Sequence, residues 1–283
     1  MENNIPDCAK RTASFRLRAI IAVAISVFTG IGYFFAMKNS FNYEIGHFDS
    51  SVWFWMIVAG IAAALIYSLA VAFSVRKKEI TVSLEPSISS SIIGCVAAAE
   101  SLLVFCDLIK AVFSEERSVS VFDKITCILF LFVTAYFITT AVIKKKTPAL
   151  TVGLAVLSAL AVNASVFAAY FDSSVPMNSP VRHIMIIVRC AILLFFISEA
   201  RFALPKGSDR LTPFFAVFVN NITFIISFGV SAGAIAFRCF CPNPVDPAPS
   251  IAWLMFFLTV SLFALTRMAD TDSLMSSTED ADK

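Results

Sequence analysis

Eight long apolar segments recur along the chain, and they restrict the fold more than any other feature. The first runs for about 18 residues without a charge, close to the roughly 20 residues that a helix needs to cross a bilayer. Apolar residues make up 58% of the sequence and charged residues only 15%, against about 45–50% and 25% in a soluble domain. The sequence therefore predicts an all-α, polytopic integral membrane helical bundle. The eight predicted spans are Ala19–Ala36, Val52–Val75, Ile88–Phe113, Ile125–Ile143, Ala149–Phe171, Val181–Ala203, Pro213–Phe237 and Ile251–Met268.

The distribution of Lys and Arg predicts how this bundle is oriented. If the N-terminus is cytoplasmic, 15 of the 22 Lys and Arg residues fall in cytoplasmic segments, five fall outside and two lie within spans. An excess of positive charge marks the cytoplasmic side of membrane proteins. Both termini are therefore predicted to be cytoplasmic, and the plasma or inner membrane is the default location because no retention signal is evident.

The connections between spans are about 5–14 residues long, which is too short for a folded module. We therefore expect one transmembrane domain over residues 1–283, with a polar N-terminal tail at 1–15 and an acidic, disordered C-terminal tail at 269–283. No nucleotide-binding or nucleic-acid-binding pattern is present, so no cofactor and no nucleic-acid partner is predicted. The lipid bilayer is the expected environment, and partner subunits or a homo-oligomer remain open.

The third span carries Glu100, Asp107 and Lys110 inside an apolar run. Each charge at bilayer depth costs about 2.5–3.5 kcal/mol, so such residues usually face a protein interior or a water-filled cavity. Glu100 and Asp107 are seven residues apart, which places them on one helical face about 10 Å apart along the axis. This face is the leading candidate for a functional site.

Asp107 and Arg189 lie at similar predicted depths in the third and sixth spans. An unpaired arginine in hydrocarbon is costly, so a buried Asp107–Arg189 ion pair is predicted. Such a pair takes part in function or only holds two helices together, and the sequence leaves both open.

Glu100 lies nearer the middle of the membrane, at a depth similar to that of Asn163 in the fifth span. Asn220 and Asn221 lie nearer the cytoplasmic side of the seventh span. A carboxyl group among amides suits the proton-coupled movement of a cation or polar solute. The alternative is a permanently protonated Glu100 that hydrogen-bonds a neighbouring helix, worth about 0.6–2 kcal/mol.

Three further patterns favour structural explanations. Glu199 and Arg201 end the sixth span and are expected to anchor it, with an inner gate as the alternative. Gly229-Val-Ser231-Ala-Gly233 fits both a serine-nucleophile pattern and the G-x-x-x-G helix-packing pattern, and a continuous helix favours packing. Cys239 and Cys241 lie in a proline-rich loop, and no metal site is predicted from these thiols or from the two distant histidines.

Two function classes remain after these observations. The first is a small-solute or ion permease, or the membrane subunit of a larger transporter, that uses the polar site on the third helix. The second is a non-transporting scaffold, assembly or sensor component in which the same residues only join helices. An enzyme is the least favoured class. A wet cavity that reaches Glu100 would favour transport, whereas a dry bundle with every polar group paired would favour the scaffold.

Overall fold

Each predicted span forms a helix in the computed structural model of the protein. The structure describes residues 5–49, 51–75, 87–114, 120–143, 148–172, 175–204, 211–241 and 247–281. Within them, eight helices are long and apolar enough to cross a membrane, which confirms the all-α polytopic bundle. The helices are α1 (Ile5–Asn39), α2 (Val52–Val75), α3 (Ile88–Phe113), α4 (Val121–Val142), α5 (Pro148–Phe171), α6 (Pro180–Phe202), α7 (Leu211–Phe240) and α8 (Ile251–Ala281).

Local sequence signals fix several helix starts. The Ser87 hydroxyl accepts a hydrogen bond from the backbone N–H of Ser90 and caps α3. Ser120 and Asp123 form a reciprocal capping box at the start of α4, with two bonds of 3.1 Å. Pro180 occupies the first turn of α6, where its missing N–H leaves no broken hydrogen bond.

A short β-hairpin joins α1 to α2. Its strands, β1 (Phe41–Asn42) and β2 (His47–Phe48), pair antiparallel. Gly46 in the turn has φ +66°, a left-handed conformation that glycine adopts without strain. We call the end of the bundle that carries this hairpin the hairpin side, and the opposite end the far side. The sequence predicts that the hairpin side is extracellular, and that orientation stays a prediction.

Helices α3 to α8 form a closed ring. Each packs against the next along the chain, and α8 returns to pack against α3. Helices α1 and α2 lie outside this ring, where they pack against each other and against α7. The ring therefore encloses a central space. The side chains that point into this space determine whether it is open or filled.

Aromatic side chains fill the middle of the ring. They come from α4, α6 and α8, they are fully buried, and their ring centroids lie 5.2–6.4 Å apart, mostly in edge-to-face contact. This aromatic barrier consists of Phe130, Phe137, Phe195, Phe196, Phe256 and Phe263. It separates the polar groups of the hairpin side from those of the far side.

The two ends of the chain differ from the sequence prediction. Helix α8 continues to Ala281, so most of segment 269–283, predicted to be a disordered tail, is helical. Helix α1 likewise begins at Ile5, within the polar N-terminal tail. The physical reason is that a helix already formed inside the bundle can be extended without the cost of nucleation.

The glycine pattern of α7 serves helix packing, as predicted. A Cβ atom added to Gly229 would lie 2.6 Å from the carbonyl oxygen of Ser26, and one added to Gly233 would lie 2.5 Å from that of Gly30. Helix α1 therefore packs backbone to backbone against α7. Ser231 lies between the two glycines in continuous helix, where the strand–turn–helix of a nucleophile elbow does not form.

One hydrogen bond links α3 to α4 inside the ring, and we expect it to stabilise the fold modestly. The Ser101 and Thr134 hydroxyls are 2.8 Å apart and buried. A double-mutant cycle with Ser101→Ala and Thr134→Val is expected to give a coupling energy of about 0.6 kcal/mol, typical of such bonds in membrane proteins. Unfolding titrations of the purified protein in mixed micelles measure it. A coupling energy of zero would mean that the two hydroxyls find equivalent partners elsewhere.

Candidate functional site

A cavity of about 480 Å³ opens inside the ring on the hairpin side. Its wall is formed by the hairpin, the end of α3, the start of α4, the α5–α6 connection and the segment before α8. Six of the lining residues are acidic or basic: Glu44, Asp107, Asp123, Asp172, Arg182 and Arg189. The volume lies within the range of about 300–1,000 Å³ that is typical of small-molecule sites.

Arg189 lies in the wall of this cavity nearest the aromatic barrier. Its side chain is only 8% exposed. The guanidinium lies over the rings of Trp253, at 5.2 Å, and Phe257, at 5.6 Å. Asp172 and Asp123 stabilise its positive charge through space. Its Nε–H is buried and has no hydrogen-bond partner among the described residues. Arg189 is thus held by aromatic faces, with hydrogen-bond donors left unused.

Asp107 lines the same cavity from α3. The structure thus brings Asp107 and Arg189 to one site, but no hydrogen bond or ion pair joins them within the described part of the chain. The direct ion pair predicted from their depths is therefore not formed. Both groups line the cavity without contacting each other through a hydrogen bond or ion pair among the described residues.

Arg182 has a different role from Arg189. Its guanidinium donates hydrogen bonds to the backbone carbonyls of Tyr170, Asp172 and Val175. These carbonyls belong to the end of α5 and to the connection that follows it. Arg182 therefore holds the α5–α6 connection in place, and this fixes the rim of the cavity.

Glu100 lies two turns deeper than Asp107, on the flank of α3. Its side chain is half-buried, its Oε2 has no partner among the described residues, and it is not among the described residues that line the cavity. The cavity thus reaches Asp107 but not Glu100. The two carboxylates share one face of α3, so the difference is depth: the cavity lies at the hairpin end of the ring, and Glu100 is about 10 Å further along the helix axis.

The three predicted amides lie elsewhere in the bundle. Asn163 is half-buried on α5, and Asn220 and Asn221 are buried on α7. The Asn221 side-chain amide donates to the carbonyl of Val217, 2.8 Å away on its own helix. None of the three is among the described residues that line the cavity. Only Asn163 was predicted at the depth of Glu100, and depth does not specify which way a side chain faces around the helix axis.

A second polar cluster closes the ring on the far side. The Glu199 carboxylate, 7% exposed, accepts hydrogen bonds from Arg267, with Nη2 at 2.6 Å, and from the Tyr136 hydroxyl at 2.7 Å. Asp270 lies 3.9 Å from the Arg267 guanidinium and accepts a bond from Ser90 at 2.6 Å. These five residues, which we call the far-side cluster, connect α3, α4, α6 and α8.

The sequence did not predict two important members of these sites. Arg267 was counted only as a cytoplasmic charge, yet it pairs with Glu199 across 68 positions of sequence. Trp253 lies at the start of the eighth predicted span, where tryptophan commonly anchors a helix at the membrane interface, but it is 8% exposed and contacts Arg189. The sequence did contain a signal for the Glu199–Arg267 pair, because these opposite charges lie near the ends of two predicted spans at the same predicted depth.

Metal binding has no support in the described part of the structure. No group of three or more His, Cys, Asp or Glu side chains there could hold a metal ion. Cys239 and Cys241 are free thiols. His183 is exposed at the start of α6, and its Nδ1 lies 2.8 Å from the Ser179 carbonyl.

The fold and the cavity define a multi-pass integral membrane protein with a polar site inside its helix ring. Comparison with known proteins adds no relative: no protein family, no curated protein and no solved structure matches the chain. Function must therefore be argued from the geometry alone.

Proposed function

We propose that the protein is a small-solute permease, acting alone or as the membrane subunit of a larger transporter. The observation that carries this proposal is the layering of the ring. A polar cavity lies on the hairpin side, the aromatic barrier lies in the middle, and a charged cluster closes the far side. Arg189 and Glu199 are ten residues apart on α6, so about 15 Å along the helix axis, occupied by the aromatic barrier, separates the two polar regions.

This arrangement suits alternating access, in which a solute reaches a central site from one side at a time. In the conformation described here, the cavity is formed on the hairpin side and the far side is closed. We assign the hairpin side to the outside, following the Lys and Arg distribution. The state would then be outward-facing, with Asp107 and Arg189 as the residues that contact the solute.

Opening the far side requires the Glu199–Arg267 pair to separate. Asp270 lies close enough to Arg267 to act as an alternative partner, so the arginine need not be left unpaired when α6 moves away from α8. A residue with two available partners is the kind of bistable element that conformational switches use. We therefore assign the far-side cluster the role of inner gate.

The proposal predicts uptake by purified protein in lipid vesicles. Vesicles with an imposed inward proton gradient are incubated with a small-molecule extract of uniformly ¹³C-labelled cells, and their contents are measured by mass spectrometry. We expect at least one labelled solute to accumulate above protein-free vesicles, and Arg189→Gln to reduce that accumulation about tenfold or more, since hydrogen bonds to charged groups contribute about 1.5–3 kcal/mol.

The matched control is Lys110→Gln, which removes an exposed charge one turn beyond Asp107 on the same helix. Its uptake should equal that of the parent protein. If no labelled solute enters vesicles that contain the folded parent protein, the permease proposal is wrong.

The second candidate is a non-transporting scaffold, assembly or sensor component, and the position of Glu100 favours it. A half-buried carboxyl with an unpartnered oxygen, away from the cavity, is suited to pairing with a helix of another subunit. Absence of uptake combined with co-purification of a partner that is lost in Glu100→Gln would support this candidate over the permease.

A further inference from the structure

The chemistry of the cavity indicates which class of solute it accepts, and this inference rests on the proposed permease function. The first observation is Arg189. Its guanidinium carbon lies over the rings of Trp253 and Phe257, and its N–H groups make no hydrogen bond to the described residues. A guanidinium binds a carboxylate or a phosphate group through two parallel hydrogen bonds. The buried, unpartnered Nε–H is one of these donors.

The second observation is the excess of negative charge around the same cavity. Four carboxylates line it against two guanidinium groups, and one of the two, Arg182, is already bonded to three backbone carbonyls. Asp107 has neither a hydrogen bond nor an ion pair within the described residues. The same holds for the side chain of the exposed Glu44, so the cavity offers carboxylate oxygens to a cation as well as one guanidinium to an anion.

A ligand with a single charge would fit this site poorly. A simple anion would pair with Arg189 but would be repelled by the surrounding carboxylates. A simple cation would pair with Asp107 and would leave the buried N–H donors of Arg189 without a hydrogen-bond acceptor. Because an unmade bond to a buried charge is costly, the best ligand carries both charges.

We infer that the cavity binds a small zwitterion of the α-amino acid type. Its carboxylate pairs with Arg189 and its ammonium group pairs with Asp107. The apolar side chains of Leu108, Ala169 and Met185 line the rest of the cavity and would contact the solute's side chain. The absence of a direct Asp107–Arg189 pair is what keeps both groups available.

Thermal unfolding of the purified protein in lipid nanodiscs tests this inference. The probes are the common L-amino acids, their N-acetyl derivatives, which carry only the carboxylate, and their amides, which carry only the ammonium group. We expect one or more free amino acids to raise the melting temperature. Both derivatives of the same amino acid should bind at least about tenfold more weakly, as expected from the loss of one charged hydrogen-bond pair.

Two variants identify the residue that binds each charge. Arg189→Lys keeps a positive charge but loses the two-bond geometry, and we expect it to weaken amino acid binding about tenfold or more. Asp107→Asn should weaken the amino acid but not its N-acetyl derivative, which has no ammonium group and is repelled less once the Asp107 charge is removed. Lys110→Gln is the control and should bind like the parent, and the ligand-free melting temperature of each variant shows whether it is folded.

The remaining outcomes separate this inference from the permease proposal. If the amides bind as tightly as the free amino acids, the site takes organic cations and the zwitterion assignment is wrong. If N-acetyl derivatives bind as tightly, it takes anions and the assignment is again wrong. If no amino acid binds but vesicles accumulate another labelled solute, the permease proposal is supported and the zwitterion assignment is wrong. If there is neither binding nor uptake, both are overturned.

Discussion

Replacement of Glu199 by alanine is expected to lower the free energy of unfolding by about 3–5 kcal/mol, the usual cost of removing one partner from a buried ion pair. Arg267 would keep its charge inside the ring while losing its closest contact, the 2.6 Å bond from Nη2 to the Glu199 carboxylate. The nearby Asp270 carboxylate, at 3.9 Å, should recover part of the loss. Unfolding titrations in mixed micelles, read by circular dichroism, measure the effect.

The double-mutant cycle separates the ion pair from the packing around it. Arg267→Ala alone should cost a similar amount, whereas Glu199→Ala with Arg267→Ala should cost less than the sum because no buried charge is then left unpaired. Tyr136→Phe should cost only about 1 kcal/mol, the usual net value of one hydrogen bond. The matched control is Arg201→Ala, two residues along α6, where a half-exposed guanidinium lies 5.9 Å from the Phe215 ring.

The Glu199→Ala, Arg267→Ala double variant also tests whether the far-side cluster is the inner gate. If the far-side cluster is the inner gate, the double variant should favour the inward-open conformation, so that a membrane-impermeant thiol reagent reaches Cys127 or Cys190 from the far side. Additive energies in the cycle, together with unchanged thiol reactivity, would contradict both the coupling and the gate.

The sequence predicted the membrane fold well because that prediction depends on composition over stretches of about 20 residues. All eight spans form helices at or near the predicted positions. Serine caps and prolines at helix starts are local signals, and Ser87, Ser120 and Pro180 act as those signals indicate. The helical extension of α8 was missed because its composition resembles that of a disordered tail, whereas its conformation follows from the helix before it.

The site was predicted less well because it depends on how helices rotate and on which helices become neighbours. Depth along a span can be read from residue number, and it placed Asp107 and Arg189 at one level, where both line the cavity. Rotation about the helix axis cannot be read in the same way. Trp253 therefore faces Arg189 instead of the membrane interface, whereas Glu100, on the same face of α3 as Asp107, misses the cavity because it lies two turns deeper.

The second large effect concerns the packing of α1 against the ring. Changing both Gly229 and Gly233 to alanine is expected to lower the free energy of unfolding by about 2–4 kcal/mol, since overpacking costs about 1–3 kcal/mol at each site. The added Cβ atoms would meet carbonyl oxygens of α1 at 2.6 and 2.5 Å. A backbone carbonyl inside a helix cannot turn aside as a flexible side chain can. The whole of α1 must therefore move outward, and it loses contacts along its length.

Gly153→Ala is the matched control, because a Cβ atom there would find nothing within 4 Å. Alanine is intrinsically about 1 kcal/mol more favourable than glycine in a helix, so this change should be neutral or slightly stabilising. The same helix propensity also favours alanine at Gly229 and Gly233 and offsets part of the clash. The measured loss of unfolding free energy is therefore a lower limit on the cost of the clash with α1. Amide hydrogen exchange should show faster exchange in α1 of the double variant and unchanged exchange in α4 and α5. Equal stability of the double variant and Gly153→Ala would mean that α1 is not packed backbone to backbone against α7, and that the ring of α3 to α8 folds without its support.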